Sequence, residues 1–548
     1  MSSKNVLYRS LLCALLATYA VHATPAFSAA QNRSTQSVAA TSKASQHFAK
    51  LADRYYEEGA RFEPLQATFN GDNRFDDQLG MAIAAPVRAK HFAFLHQVQT
   101  QLQRIARANL SAADQLSYDC LSAELQKSLA FEPFPEHLLP IAQMDSLAEA
   151  SLEKSDFYAP IRNLPITFSQ SDKAQLTQAY KHTITKQILP ALKDFTVFLE
   201  KDYLPASRAT AGLGALPNGS AWYKAAIQVQ TTTGLSADDI HQIGLDEVKR
   251  IHDEMAKLGQ KLGYSGRAVG VYNWLTEQAQ NRPYKTEEDV LQGYRDINRK
   301  IIPKLPELFV SIPKAALAIK AEPEITRATA SDHYDAPSVD GSRPGIYWAV
   351  VDDPLTYSTT HMTSLFLHEG QPGHHFQLAA QQQLQVPKFR KFGGNNAYVE
   401  GWALYAETLG KEMGLYEDAN AYAGFLRMEL SRAARLVVDT GLHAKGWSRE
   451  QTIAYLQENV GASVEGATNA TERYMVWPGQ ALAYKIGSLK IMQLRQQAEQ
   501  ALGTGFKLAR FHDAILADGA LPLSLLEVKM TQWIAAEAKG GLSAKAGS

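Results

Sequence analysis

Apolar residues recur at three-and-four spacing along most of the chain, the repeat of helices that bury one face. In the first half this predicts helices over 45–60, 86–108, 111–128, 173–203, 236–263 and 286–302. In the second half it predicts 359–385 with a break, 395–413, 417–443, 448–457, 478–501, 503–516 and 521–537. One helix start is marked: in "NLSAADQLSYDCL" Ser111 stands three residues before Asp114, resembling a capping box. Strand-like stretches are few. The best is "GIYWAVVDDP", 345–354, bounded by Pro344-Gly345 and Pro354, inside a region from 315 to 360 that lacks helical pattern. No internal repeat and no Ser/Gly linker divides the chain. The economical reading is a mostly α protein. It has one large helical domain over 45–548, open to an arrangement of two lobes around a deep cleft, with a small β element near 345–351.

Composition supports a packed chain: 548 residues, 45% of them hydrophobic, can fill a substantial core. Lys and Arg number 55 against 56 acidic residues. No net field therefore draws the protein to nucleic acid or to an anionic membrane, and substrate choice falls to a local site. At the N-terminus Lys4 and Arg9 precede the apolar run Leu11 to Ala20, and "ATPAFSAA" follows. Residues 1–30 thus read as a secretory signal cleaved after Ser28 or Ala30, since the run is too short for a membrane anchor. The expected location is periplasmic or secreted. Residues 31–44, "QNRSTQSVAATSKA", read as a flexible lead-in. Cys13 follows Leu12 rather than a small residue, which disfavours lipid attachment there, and cleavage leaves Cys120 as the one thiol. A lone thiol forms no intramolecular disulfide, so stability comes from packing.

The chemistry concentrates in "LHEGQPGHHFQ", 367–377. Catalytic zinc needs imidazole or carboxylate ligands, an open position and a nearby base. The common helical motif places two histidines four apart with a glutamate after the first. Here His368-Glu369 is present, but position 372 is proline, and the next histidines are His374 and His375. On an unbroken helix the seventh residue returns to within about 20° of the first, so direction favours His375. Two helical turns rise by roughly 10 Å, however, while two ligands of one zinc lie about 3 to 4 Å apart. A kink or bulge at Pro372-Gly373 would fold the second pair back toward the first, and either histidine could then be the ligand. "VEGWALYAE" also places carboxylates on an otherwise apolar helix, where buried carboxylates need a partner or a metal.

"HEGQPGHHFQ" followed by "YVEGWALYAE" at 398–407 resembles the signature of the bacterial family called domain of unknown function 885, regarded as predicted zinc metallopeptidases. "RLVVDTGLHAKGW" at 435–447 and "ERYMVWPGQALAYKIG" at 472–487 extend the resemblance, so the motifs span 361–487. The resemblance implies one zinc ion per chain, held by His368, by His374 or His375, and by Glu400. It makes Glu369 the base that deprotonates a zinc-bound water, and Glu407 the support of a ligand. His443, Tyr474 and Tyr484 are the candidate donors to the oxyanion, with Asp439 orienting one of them. Arg435 and Lys485 are the candidates for a substrate carboxylate. The implied reaction is hydrolysis of peptide bonds, in short peptides if the helices enclose a deep cleft. A zinc hydrolase of a non-peptide amide or ester is the alternative, and a metal- or peptide-binding protein without turnover is a third. Glycine-rich phosphate loops and a G-x-S-x-G elbow are absent, so kinase, dinucleotide and serine-hydrolase chemistry lack sequence support. "AGLGALPNG", 211–219, reads as a loop.

Overall fold

The computed structural model describes residues 42–546 apart from 79, 82–83, 136–155, 204, 206–209, 328–329 and 339–342. The expected signal segment and residues 31–41 of the lead-in lie outside them. Ser42 caps the helix Lys43–Gly59 by accepting from the Ser45 N–H, so helix begins two residues earlier than the pattern predicts.

The chain divides into two compact units. The smaller includes residues 140–210. It holds the helices Gln170–Thr183 and Leu189–Phe198, where one helix over 173–203 is expected. Wider π-type turns at Ile184–Ile188 and Leu199–Tyr203 follow each of them. Pro190 explains the first, because it has no N–H for the carbonyl four residues back.

The larger unit, 41–139 with 211–548, contains every candidate site residue. Most predicted helices are present, among them Ala237–Lys261, Glu287–Ile301, Asn396–Thr408, Ala419–Ala444 and Ala483–Leu502. Two further helices, Gly219–Thr231 and Val464–Val476, have no counterpart in the hydrophobic pattern. The non-helical region supplies one small sheet: β1 (Leu317–Ala321), β2 (His333–Asp335) and β3 (Gly345–Ala349). β3 lies between the others, parallel to β1 and antiparallel to β2, with Tyr347 opposite both Ile319 and Tyr334. Paired on both edges and mostly buried, β3 is the strand that the apolar run of the sequence marks.

Helix Asn396–Thr408 packs along Ala483–Leu502 at bare backbone. A Cβ on Gly401 would stand 2.5 Å from the Gly487 Cα, and one on Gly487 would stand 1.8 Å from the Ala397 carbonyl oxygen. Only glycine at both positions permits this approach. Tyr398, Trp402 and Tyr405 on the same helix are fully buried, as is the carboxylate of Glu407, while Glu400 is partly buried. Among the described residues, no helix is long and apolar enough to cross a membrane.

Candidate metal centre

The His-Glu helix, Met362–Glu369, stops where the sequence places Gly370, and a new helix, His374–Gln383, begins four residues later. The chain therefore breaks into two helices rather than bending one. Pro372 cannot donate to the ladder, and Gly373 lets the turn press on the helix it leaves. A Cβ at Gly373 would stand 1.9 Å from the His368 carbonyl oxygen and 2.4 Å from that of Leu367. From helix Asn396–Thr408 the Trp402 indole N–H donates to the Pro372 carbonyl at 2.9 Å.

This turn brings the first imidazole of the second pair beside His368. Their rings lie 4.8 Å apart and nearly perpendicular, at 86°. Glu400 Oε2 stands 3.6 Å from His368 Nε2 and 3.5 Å from His374 Nε2. Ligands about 2.0–2.1 Å from a tetrahedral zinc are separated by about 3.3 Å. The observed gaps exceed good hydrogen bonds and suit three atoms sharing a cation. One atom each of His368, Glu369 and His374 also falls within 4.8 Å of the others, so Glu369 adjoins the same space. Glu400 approaches both imidazoles through one oxygen, and Glu369 is a second carboxylate beside them.

Behind His368 stands Glu407, fully buried, whose Oε1 is 2.8 Å from His368 Nδ1. Ser364 Oγ donates to its other oxygen at 2.6 Å, and Arg432 Nη2 lies 3.8 Å away. With Nδ1–H assigned to Glu407, the lone pair of Nε2 faces the shared space. Burial pushes Glu407 up, yet Arg432 and His368 hold its carboxyl below the ordinary range. Burial likewise opposes the Glu400 charge, and the two imidazoles hold that carboxyl far down. Glu369 behaves oppositely. Burial raises it to about 8, with His374 pulling down and Glu400 pushing up.

The family model described as "Bacterial protein of unknown function (DUF885)" matches residues 133–530. The chain belongs to this family. Comparison with curated proteins gives no match. Among solved structures, the "putative lipoprotein" of Colwellia psychrerythraea is 28% identical with a TM-score of 0.78, over 90% of this chain and 99% of that one. A second "putative lipoprotein of unknown function", from Shewanella oneidensis, is 19% identical with a TM-score of 0.66, over 88% of this chain and 99% of its own. The second likeness shows the fold alone.

Within this DUF885 chain the remaining sequence candidates divide. His375 turns away from Glu400: its Nδ1 meets the Tyr334 hydroxyl at 2.9 Å, and its Nε2 meets the Ala315 carbonyl at 3.2 Å. Direction favours His375 only on an unbroken helix, and the helix is broken. His443 does not offer a donor to the centre either. Its Nδ1 accepts from the Leu213 N–H at 3.0 Å, and its Nε2 faces the Tyr474 carbonyl at 2.9 Å, so it anchors the 211–219 loop. Asp439 accepts from the Tyr223 hydroxyl at 2.6 Å and from the Gly479 N–H at 3.1 Å, not from a candidate donor. It thereby fixes the turn that leads into the helix of Tyr484. Lys485 is buried with its ammonium on Glu247 and Glu429, at 2.7 and 2.8 Å, and is not free for a substrate carboxylate. Arg435 lies with its guanidinium 4.5 Å over the Tyr484 ring, and Tyr474 and Glu400 also act on its charge. Ser364, Trp402 and Arg432 join the site without having been marked by the sequence motifs. Arg432 had a readable signal, a cation in an apolar helix, whereas the roles of Ser364 and Trp402 depend on which elements meet.

Proposed function

We propose that this DUF885 protein is a zinc-dependent hydrolase that cleaves peptide bonds in short peptides outside the cytoplasm. The observation that carries the reading is the approach of His368, His374 and Glu400 to one point, with the unshared carboxyl of Glu369 beside it. His368, His374 and Glu400 would hold the ion. When bound, zinc supplies a Lewis acid that polarises a carbonyl and acidifies water. Glu369 takes the proton from the attacking water and returns it to the leaving amine. Its place beside the two imidazoles supports both steps. Glu407 and Ser364 keep His368 in one orientation throughout. Tyr474 and Tyr484, both buried beside Arg435, would be the donors that steady the polarised carbonyl oxygen. Export is supported by the N-terminal pattern and by the lipoprotein description of the Colwellia psychrerythraea structure.

The test combines elemental analysis of the purified protein with a peptide-library cleavage assay. About one zinc per chain is expected. Glu369→Gln should retain it while turnover falls by about a hundredfold or more. Hydrolysis at the parent rate in that variant would remove the base, and absence of bound divalent metal would remove the reading altogether.

A further inference from the structure

Helix Ala419–Ala444 carries Arg427, Arg432 and Arg435 on one flank, within roughly 140° of arc. Each has a buried Nε that lacks a hydrogen-bond partner among the described residues. Arg432 has an anion nearby in Glu407, at 3.8 Å. Arg427 and Arg435 instead lie over aromatic rings, 5.6 Å from the Tyr272 centroid and 4.5 Å from that of Tyr484. No ion-pair partner is found for either among the described residues. Tyr474 acts on both charges and so belongs to their common surroundings.

The row passes the metal centre at its middle member: Arg432 lies 3.8 Å from Glu407, which in turn is 2.8 Å from His368, and Glu400 acts on Arg435. Arg427 is withdrawn from water without a counter-charge, which is costly, and its aromatic face recovers only part of the loss, whereas Arg435 has Tyr474 and Glu400 acting on its charge. As whole residues Arg427 and Arg435 are only partly buried. The group that best matches a guanidinium fork is a planar carboxylate, which accepts two parallel N–H bonds. From Arg427 to Arg435 the helix rises about 12 Å, the length of three to four extended residues.

We infer that Arg427 and Arg435, with Tyr474 near both, form a carboxylate-binding subsite beside the metal centre, so that the substrates are short peptides presenting a carboxylate close to the cleaved bond. This rests on the hydrolase reading of that centre. The carboxylate is either the free C-terminus or an acidic side chain, and the test separates the two.

Binding of three tripeptides to the full Glu369→Gln protein would be measured by calorimetry: a free C-terminal acid, its C-terminal amide, and an amide bearing a glutamate. The acid should bind about tenfold or more tightly than the plain amide. Recovery of that affinity by the glutamate-bearing amide shows that a side-chain carboxylate serves as well, failure to recover confines the subsite to the C-terminus, and a gain by the glutamate-bearing amide with acid and plain amide equal assigns the side chain alone. Arg427→Met and Arg435→Met should each shrink the acid-to-amide ratio, while Arg435→Lys keeps charge but loses the fork and should fall between. Equal binding of all three peptides would overturn the inference without any variant having to fold. Hydrolysis of all three peptides at equal rates by the parent protein, with equal binding, would remove the carboxylate subsite and leave the hydrolase standing. Discrimination without any hydrolysis by the parent would do the reverse.

Discussion

His374 and His375 are neighbours in sequence with different tasks, because restarting the helix resets the rotation between them and His368. His374→Ala should lose most bound zinc in elemental analysis. His375→Ala should keep it and lose about 1–3 kcal/mol in thermal unfolding, since two buried hydrogen bonds go with the ring. Equal zinc loss in both variants would contradict the assignment of His374. The sequence located the histidine pair and the carboxylates at 400 and 407 but could not choose between the histidines. A helical wheel is valid only while the helix continues, and a break point says nothing of the angle at which the chain resumes. His443, Asp439 and Lys485 were misplaced for a related reason. Their chemistry is taken up by the Leu213 N–H, the Tyr223 hydroxyl and Glu247, all more than 200 residues away in sequence. The arginines in "GFLRMELSRAARLVV" were legible by the rule applied to "VEGWALYAE": charge on an apolar helix calls for a partner.

Among elements, the turn at 370–373 decides whether the proposed ligands meet. Gly373→Ala should push the turn off the carbonyls of Leu367 and His368, destabilising the protein by about 1–3 kcal/mol and lowering zinc affinity. Unfolding midpoints and a chelator competition would read both effects, and unchanged values would show that the turn tolerates a methyl group. Long amphipathic helices were readable because their burial repeats every turn, as in Ala237–Lys261 and Glu287–Ile301. The two outer strands were not. β1 is only partly buried and β2 is three residues long, too short to display alternation. Helix Gly219–Thr231 was hidden by the Pro-Asn-Gly run before it, where Asn218 adopts a left-handed conformation at φ +57°. That run marks a turn correctly and masks the helix that starts within it.

Across the whole molecule charge is balanced in number, and among the described residues a few charged side chains are buried in clusters. Lys485, Glu429, Glu247 and Arg250 join the helices Ala237–Lys261, Ala419–Ala444 and Ala483–Leu502. Burial pushes Glu247 up, but Arg250 and Lys485 together bring it down to about 2 from an ordinary 4.5. A carboxyl lowered by folding stabilises the folded state above its unfolded value, and that stabilisation is lost as pH falls from about 4.5 to about 2. Glu247→Gln should therefore cost about 1–3 kcal/mol near pH 7, and the deficit relative to the parent should shrink through that acid window. Denaturant titrations at stepped pH would show it, and a deficit independent of pH would point to packing instead. The indole of Trp402 grips the turn between the two imidazoles, and Trp402 sits two residues from Glu400 on the same helix. Hinge and third proposed ligand are thus clasped together by the protein's own hydrogen bond. If the centre holds a metal as proposed, its grip should then depend on an indole that never touches the ion.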